Sequence, residues 1–229
     1  MFERYTEISI PDVGLVRDDS GAYRVYRDPA GVEYMSVTSF LSRALPEDKA
    51  LAEWKAQVGE EVARDISAYA TKRGSAIHDA LDKLINNMSE KEQESGLSIF
   101  EKPDFRKVAK HLKEKVGLVL ANEIFMRSKK MKLAGAADLL AFYEGILSVV
   151  DFKTSGREKY LQDIDSYFLQ CAIYALMCFE ATDVLPKQLV IVMIIEQDKV
   201  KVFKQDSIPW VKQALQLHKD YTRKVANNA

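Results

Sequence analysis

Two short alternating runs, residues about 22–27 and 32–37, flank Asp28-Pro29-Ala30-Gly31 near the start of the chain. A period of two with proline and glycine between the runs predicts a β-hairpin. Ser36-Val37-Thr38-Ser39 then opens a helical pattern, with Thr38 or Ser39 as the candidate N-cap. Pro46 interrupts it, and helix is expected to resume over about 47–58. Between about 60 and 87, Ala76, Ile77, Ala80, Leu81, Leu84 and Ile85 recur at helical spacing, with Gly74 as a candidate break. Residues 88–101 are polar and read as a loop. Pro103 suits a helix first turn and predicts a helix to about Lys115.

The period then changes. Residues about 118–126, 134–143 and 146–153 predict three consecutive strands, with turns at 127–132 and at Glu144-Gly145. Residues 161–180 are apolar on more than one face and predict a central helix. Strands at about 187–196 and 199–204 follow around Gln197-Asp198, and a closing helix covers about 208–225. Helices, a strand meander, a helix, a hairpin and a helix predict an α/β fold, a mixed sheet flanked by helices. No internal repeat or long low-complexity tract divides the chain. The expectation is one domain over 1–229, with a hairpin and helical part over about 1–100 and a core over about 103–229.

Composition narrows the function little. The hydrophobic fraction is 47% and the charged fraction 29%, an ordinary globular balance. Lys+Arg total 33 against 34 for Asp+Glu, so a nucleic-acid partner cannot be argued from net charge and any basic surface must be local. Cys171 and Cys178 lie in an apolar helical segment and read as buried thiols; two cysteines cannot hold a four-cysteine iron–sulfur cluster. The N-terminus lacks an apolar signal core. The longest apolar run, 189–195, is too short to span a bilayer, so no membrane partner is expected and a reducing cytoplasm is the default setting.

The candidate chemistry lies in residues 133–154. There Asp138, on one predicted strand, meets Asp151 and Lys153 on the next. Asp151 follows Val149-Val150 in a strand that should be buried, where an unpaired carboxylate is costly and needs a cation, either Lys153 or a metal. A lone Asp-x-Lys most often marks a structural ion pair. Asp138, thirteen residues upstream, favours a site for a hard ion such as Mg²⁺ or Mn²⁺. Glu123 on the preceding strand either faces the same site or sits at a solvated edge. His78 borders the stripe Ile77/Leu81/Leu84, where a lone histidine is usually packed or solvated; His111 and His218 lie among lysines and read as solvated. Gln170 and Tyr174, spaced i, i+4, share a helix face directed either at packing or at substrate phosphate.

In this order the residues resemble the PD-(D/E)xK nuclease superfamily, and its RecB-like exonuclease branch in particular. Arg73-Gly74-x-x-x-His78 resembles the family's histidine motif and Gly135-x-x-Asp138 its first acidic motif. Asp151-Phe152-Lys153-Thr154 resembles its D-x-K-T motif, and Gln170-x-x-x-Tyr174 the helix motif that follows. The family's proline before the first aspartate is Ala137 here. Ser36-Val37-Thr38-Ser39-Phe40-Leu41, Leu45-Pro46 and Trp54 extend the likeness toward exonucleases of mitochondrial genome maintenance and their phage or bacterial relatives.

The resemblance implies a restriction-endonuclease-like fold with a helical N-terminal elaboration. It implies metal-dependent hydrolysis of DNA phosphodiester bonds at single-stranded ends, in replication, repair or recombination. Asp138, Asp151, the backbone carbonyl of Phe152 and His78 would hold one or two Mg²⁺ or Mn²⁺ ions, and Lys153 would be the catalytic cation. Glu123, Gln170 and Tyr174 would complete the catalytic set, with Thr154 orienting Lys153. DNA contacts are expected from Lys72, Arg73, Ser75, Thr154, Arg157 and Tyr174. Arg127, Lys129, Lys130, Lys132 and Lys159 are further basic candidates, and Trp54, Tyr160 and Tyr167 could stack on bases. The expected setting is a monomer in the cytoplasm of a bacterium or phage-infected cell, meeting DNA and replication or recombination proteins. Two alternatives stand beside this reading: an endonuclease or nickase, and a non-catalytic DNA-binding protein on a nuclease fold.

Overall fold

The computed structural model describes residues 1–46, 49–196 and 199–227. Nine strands among them form one mixed sheet. They are β1 (Glu3–Arg4), β2 (Val16–Asp18), β3 (Val25–Arg27), β4 (Glu33–Ser36), β5 (Val116–Ser128), β6 (Leu133–Tyr143), β7 (Ile146–Ser155), β8 (Gln188–Ile195) and β9 (Lys199–Asp206). The helices are α1 (Val37–Ala44), α2 (Lys49–Val58), α3 (Glu60–Ile85), α4 (Glu90–Gln93), α5 (Glu101–Lys115), α6 (Asp165–Thr182) and α7 (Ser207–Asn227). Strand order is β2-β3-β4-β6-β7-β8-β9, with β5 paired to β6 and to β1. This is the mixed sheet flanked by helices that the sequence predicts.

Alternation along the strands builds a core on each face. Leu140, Val149, Ile191 and Met193 pack with α1, α6 and α7. Leu139, Ala141, Val150 and Val192 pack with α3 and α5. β8 is buried on both faces, which explains its unbroken apolar run. α6 is apolar nearly all round because the sheet covers one side and α7 another; Phe168 stacks on Trp210 with centroids 5.1 Å apart. No helix among the described residues is long and apolar enough to cross a membrane.

Several local expectations change. The N-cap of α1 is Ser36, not Thr38 or Ser39: its backbone is still extended, and its hydroxyl accepts the Ser39 N–H at 3.0 Å. Gly74 does not break α3. A Cβ there would stand 3.3 Å from Thr154 Oγ1, so the glycine lets the helix lie close against β7. Within the predicted loop 88–101, Ser89 and Glu92 form a capping box that starts α4. Two strands, β1 and β2, were not expected. Glu47 and the Gln197-Asp198 turn lie outside the described residues.

Candidate active site

β6 and β7 pair as a hairpin only from Tyr143↔Ile146 to Leu139↔Val150. Beyond that they part. β7 continues beside β8 to Ser155↔Ile195, while the same edge of β6 is taken up by β4 at Met35↔Leu133 and Ser36↔Ala134. The fork leaves Phe152 without a β6 partner for its backbone, and side chains take that place. Asp138 Oδ2 accepts the Phe152 N–H at 2.7 Å. His78 Nε2, from α3, meets the Phe152 carbonyl at 3.0 Å, and its Nδ1 lies 3.6 Å from Asp138 Oδ1.

Asp138 and Asp151 are the first residues of β6 and β7 past the last paired step, Leu139↔Val150. Glu123 falls opposite Asp138 from the β5 side, between Asn122↔Leu139 and Ile124↔Ala137, with a left-handed φ of 45°. His78, Glu123 and Asp138 each place a ligand atom within 4.8 Å of the other two. Asp151 is 1% exposed, and neither carboxylate oxygen has a hydrogen-bond partner among the described residues. Lys153 Nζ lies 2.5 Å from Asp151 Oδ2, an ion pair. Lys153 is held from α6: Nζ donates to Gln170 Oε1 at 3.2 Å and lies 5.2 Å from the centre of the Tyr167 ring. Gln170 Nε2 in turn reaches Tyr174 Oη at 3.4 Å.

The charges perturb one another. Burial raises the Asp151 carboxyl, Lys153 pulls it back and Asp138 raises it again, leaving it at about 6. Desolvation and then Asp138 push Glu123 up to about 7. Burial acts upward on Asp138 too, but His78, Lys153 and the Phe152 N–H together hold that carboxyl below its usual value. For His78, burial acts downward and Asp138 more than offsets it, raising the imidazole to about 9. Burial lowers Lys153, and Asp151 with Asp138 raises it further, so the ammonium stays charged. Three carboxylates, Glu123, Asp138 and Asp151, thus converge with two cations, His78 and Lys153, around a strand carbonyl. An oxygen-rich set of this kind fits a hard divalent ion. The site opens into a cleft of about 570 Å³ whose lining includes His78, Asp138 and Glu123.

Residues 48–228 match the family model of the PD-(D/E)XK nuclease superfamily. The chain belongs to that superfamily. No curated protein matches it. Among solved structures, the "Putative exonuclease" of Eubacterium rectale is similar over 86% of this chain and 81% of that chain, at 12% identity and a TM-score of 0.51, a likeness of fold. SSO0001 aligns over 79% of this chain and 82% of that chain at 14% identity, and its TM-score of 0.35 carries no argument. The family is one of hydrolytic nucleases that depend on divalent metal, and the acidic cluster at the fork is where this member offers a place for it.

In this nuclease the fork brings together His78, Asp138, Asp151, Phe152, Lys153, Glu123, Gln170 and Tyr174. Other expected residues stand elsewhere. Arg73 is not on a DNA-facing surface: it is 4% exposed, and its Nη2 donates to Asp104 Oδ2 at 2.6 Å, fastening α3 to α5. Thr154 cannot orient Lys153, because consecutive strand residues point to opposite faces; it lies against Gly74 under α3. Ser75 lines the cleft, while Lys72 and Arg157 are exposed outside its lining. Tyr174 is buried against Gly135, where a Cβ would stand 2.8 Å from its hydroxyl. Tyr167 packs between Lys153 and Lys159 rather than standing free for a base. His111 and His218 are half-buried rather than solvated: one lies 2.7 Å from Tyr143 Oη, the other 2.9 Å from the Met131 carbonyl. The sequence reading also missed Asp82, one turn beyond His78, and the cleft residues Arg17, Arg24, Tyr26 and Phe125. Asp82 was recoverable from its i, i+4 spacing; the other four needed the sheet order.

Proposed function

We propose that this nuclease is a Mg²⁺- or Mn²⁺-dependent exonuclease that hydrolyses phosphodiester bonds at single-stranded DNA ends, in replication, repair or recombination. The observation that carries the reading is the Asp151 carboxylate, buried without a hydrogen-bond partner among the described residues and set beside Asp138 and the Phe152 carbonyl. A structural Asp–Lys pair has no use for further carboxylates crowded against it. Asp138, Asp151, the Phe152 carbonyl and His78 would hold the ion, with Glu123 at its edge. A divalent ion there supplies Lewis-acid stabilisation of the phosphate and makes water nucleophilic near neutral pH. Asp138 and His78 fix the Phe152 peptide that presents its carbonyl. Lys153 offsets the negative charge that grows on the phosphate, and Gln170 keeps its ammonium in place. Tyr174 backs Gln170.

Action at an end is supported by the ordered motifs that resemble the exonuclease branch, and by the name of the Eubacterium rectale protein. Both cores share one sheet, which supports a single domain over 1–229. Digestion of linear, end-blocked and circular DNAs, single- and double-stranded, in Mg²⁺, Mn²⁺ or EDTA tests the reading. Shortening of linear single strands that stops in EDTA, with circles intact, is expected. Cutting of circles would overturn the exonuclease assignment, and no cleavage with either ion would overturn the enzyme.

A further inference from the structure

The family match begins at residue 48, yet strands that precede it form part of the cleft around the acidic cluster. Arg17 on β2 is the cross-strand partner of Tyr26 on β3, so both project from the same face. Arg24, two residues before Tyr26, lines the cleft with them. Asp19 holds both arginines: its two oxygens accept Arg17 Nε and Arg24 Nε, each at 2.6 Å. One carboxylate fixing two guanidiniums leaves a net positive edge on a cleft otherwise acidic at Asp79, Asp82, Glu123 and Asp138. Phe125, two residues past Glu123 on β5, lines the same cleft. It remains 39% exposed, and Tyr26 braces it, with ring centroids 5.9 Å apart at 57°. A large aromatic left open among charged side chains serves no core.

We infer that the β2–β3 hairpin is a substrate-binding wall for single-stranded DNA, with Phe125 stacking an unpaired base and Arg17 and Arg24 contacting its phosphates. The inference rests on the nuclease reading and adds to it the residues that choose an unpaired strand. A base inside a duplex is stacked on both sides and cannot offer a face to Phe125. A polyanion needs the arginines most where the acidic cluster repels it.

The test measures KM and kcat of the full chain in MgCl₂ on labelled oligothymidylate and on an abasic strand of equal length, at two salt concentrations. Phe125→Ala is expected to raise KM on oligothymidylate about 5- to 150-fold, the range of one lost base stack, and to leave the abasic strand unaffected. Phe125→Trp restores the preference, and Phe125→Leu replaces the alanine variant if circular dichroism shows the latter unfolded. The Arg17→Gln/Arg24→Gln double variant raises KM on both strands and lowers the logarithmic salt slope by roughly 0.7 per lost phosphate contact. Equal effects of Phe125→Ala on both strands, or a double variant with wild-type KM and slope, would overturn the wall while leaving the nuclease standing. A wild-type chain that cleaves neither strand in Mg²⁺ or Mn²⁺ would bring down the enzymatic reading, and this assignment with it.

Discussion

The two halves of the β6–β7 hairpin share strands, helices and burial, yet they do different work. From Leu139↔Val150 to Tyr143↔Ile146 the strands satisfy each other's backbones, and their side chains are core: Leu139, Leu140, Val149 and Val150 are all at most 1% exposed. Past Leu139 the ladder stops, and every side chain that bears chemistry gathers at the fork. A strand that loses its neighbour must find other partners for its peptide groups, and here they are an aspartate and a histidine. The paired half provides stability that the forked half gives up. That trade is how a carboxylate such as Asp151 persists in a buried place.

The sharpest way to break this division is Asp151→Asn. On the proposed assignment this removes a metal ligand and forfeits several kcal/mol of transition-state stabilisation, so cleavage of a labelled single strand should fall roughly a thousandfold while circular dichroism stays unchanged. A rate within tenfold of wild type would sink the site. In the paired half, Leu139→Ala should lower stability by about 2–5 kcal/mol in urea unfolding, with the activity of the folded fraction within a few-fold of wild type. A comparable loss of activity there would erase the distinction between the halves. Divalent ions should stabilise only through the fork: at a hundredfold excess over Kd, Mg²⁺ or Mn²⁺ adds about 2.7 kcal/mol, seen as a raised melting temperature that Asp151→Asn abolishes.

The smallest effect belongs to His111, beside Tyr143 at the paired end. Burial holds its imidazole below the ordinary value, so folding favours the neutral form. Its stabilisation is complete above the unfolded pKa, about 6.5, and is lost as pH falls through the lowered folded value. The urea midpoint of His111→Gln should therefore decline less than that of wild type between neutral and mildly acidic pH; parallel declines would show that this histidine does not report folding.

The sequence carried the sheet's long strands and both C-terminal helices because their periods are long and clean. It missed β1 and β2, which at two and three residues have no period to detect and exist only through their partners. That His78, Asp138, Asp151 and Lys153 stand together was legible as an order of motifs. What was not legible was direction. Arg73 sits five residues before His78, but its partner Asp104 is 31 residues away on another helix, and nothing local says that the arginine turns inward. Thr154 adjoins Lys153 in the chain and faces away from it in space. The arginines of the β2–β3 hairpin reach the site only through a sheet order in which β4 fills the fork.

The shared duty of Asp138 has a consequence for how such a protein would age. Its carboxylate holds the Phe152 amide as well as facing the cluster. Asp151 pairs with Lys153 but holds no backbone group among the described residues. In a lineage released from selection for cleavage, Glu123 would drift early, and Asp151 and Lys153 would be lost together, since either charge alone would lack its partner. Asp138 and His78 would persist far longer, held by the peptide they fasten. Survival of that aspartate and histidine in a distant descendant would then be a record of folding, not a sign of a working enzyme, and the residue at 151 would tell the two apart.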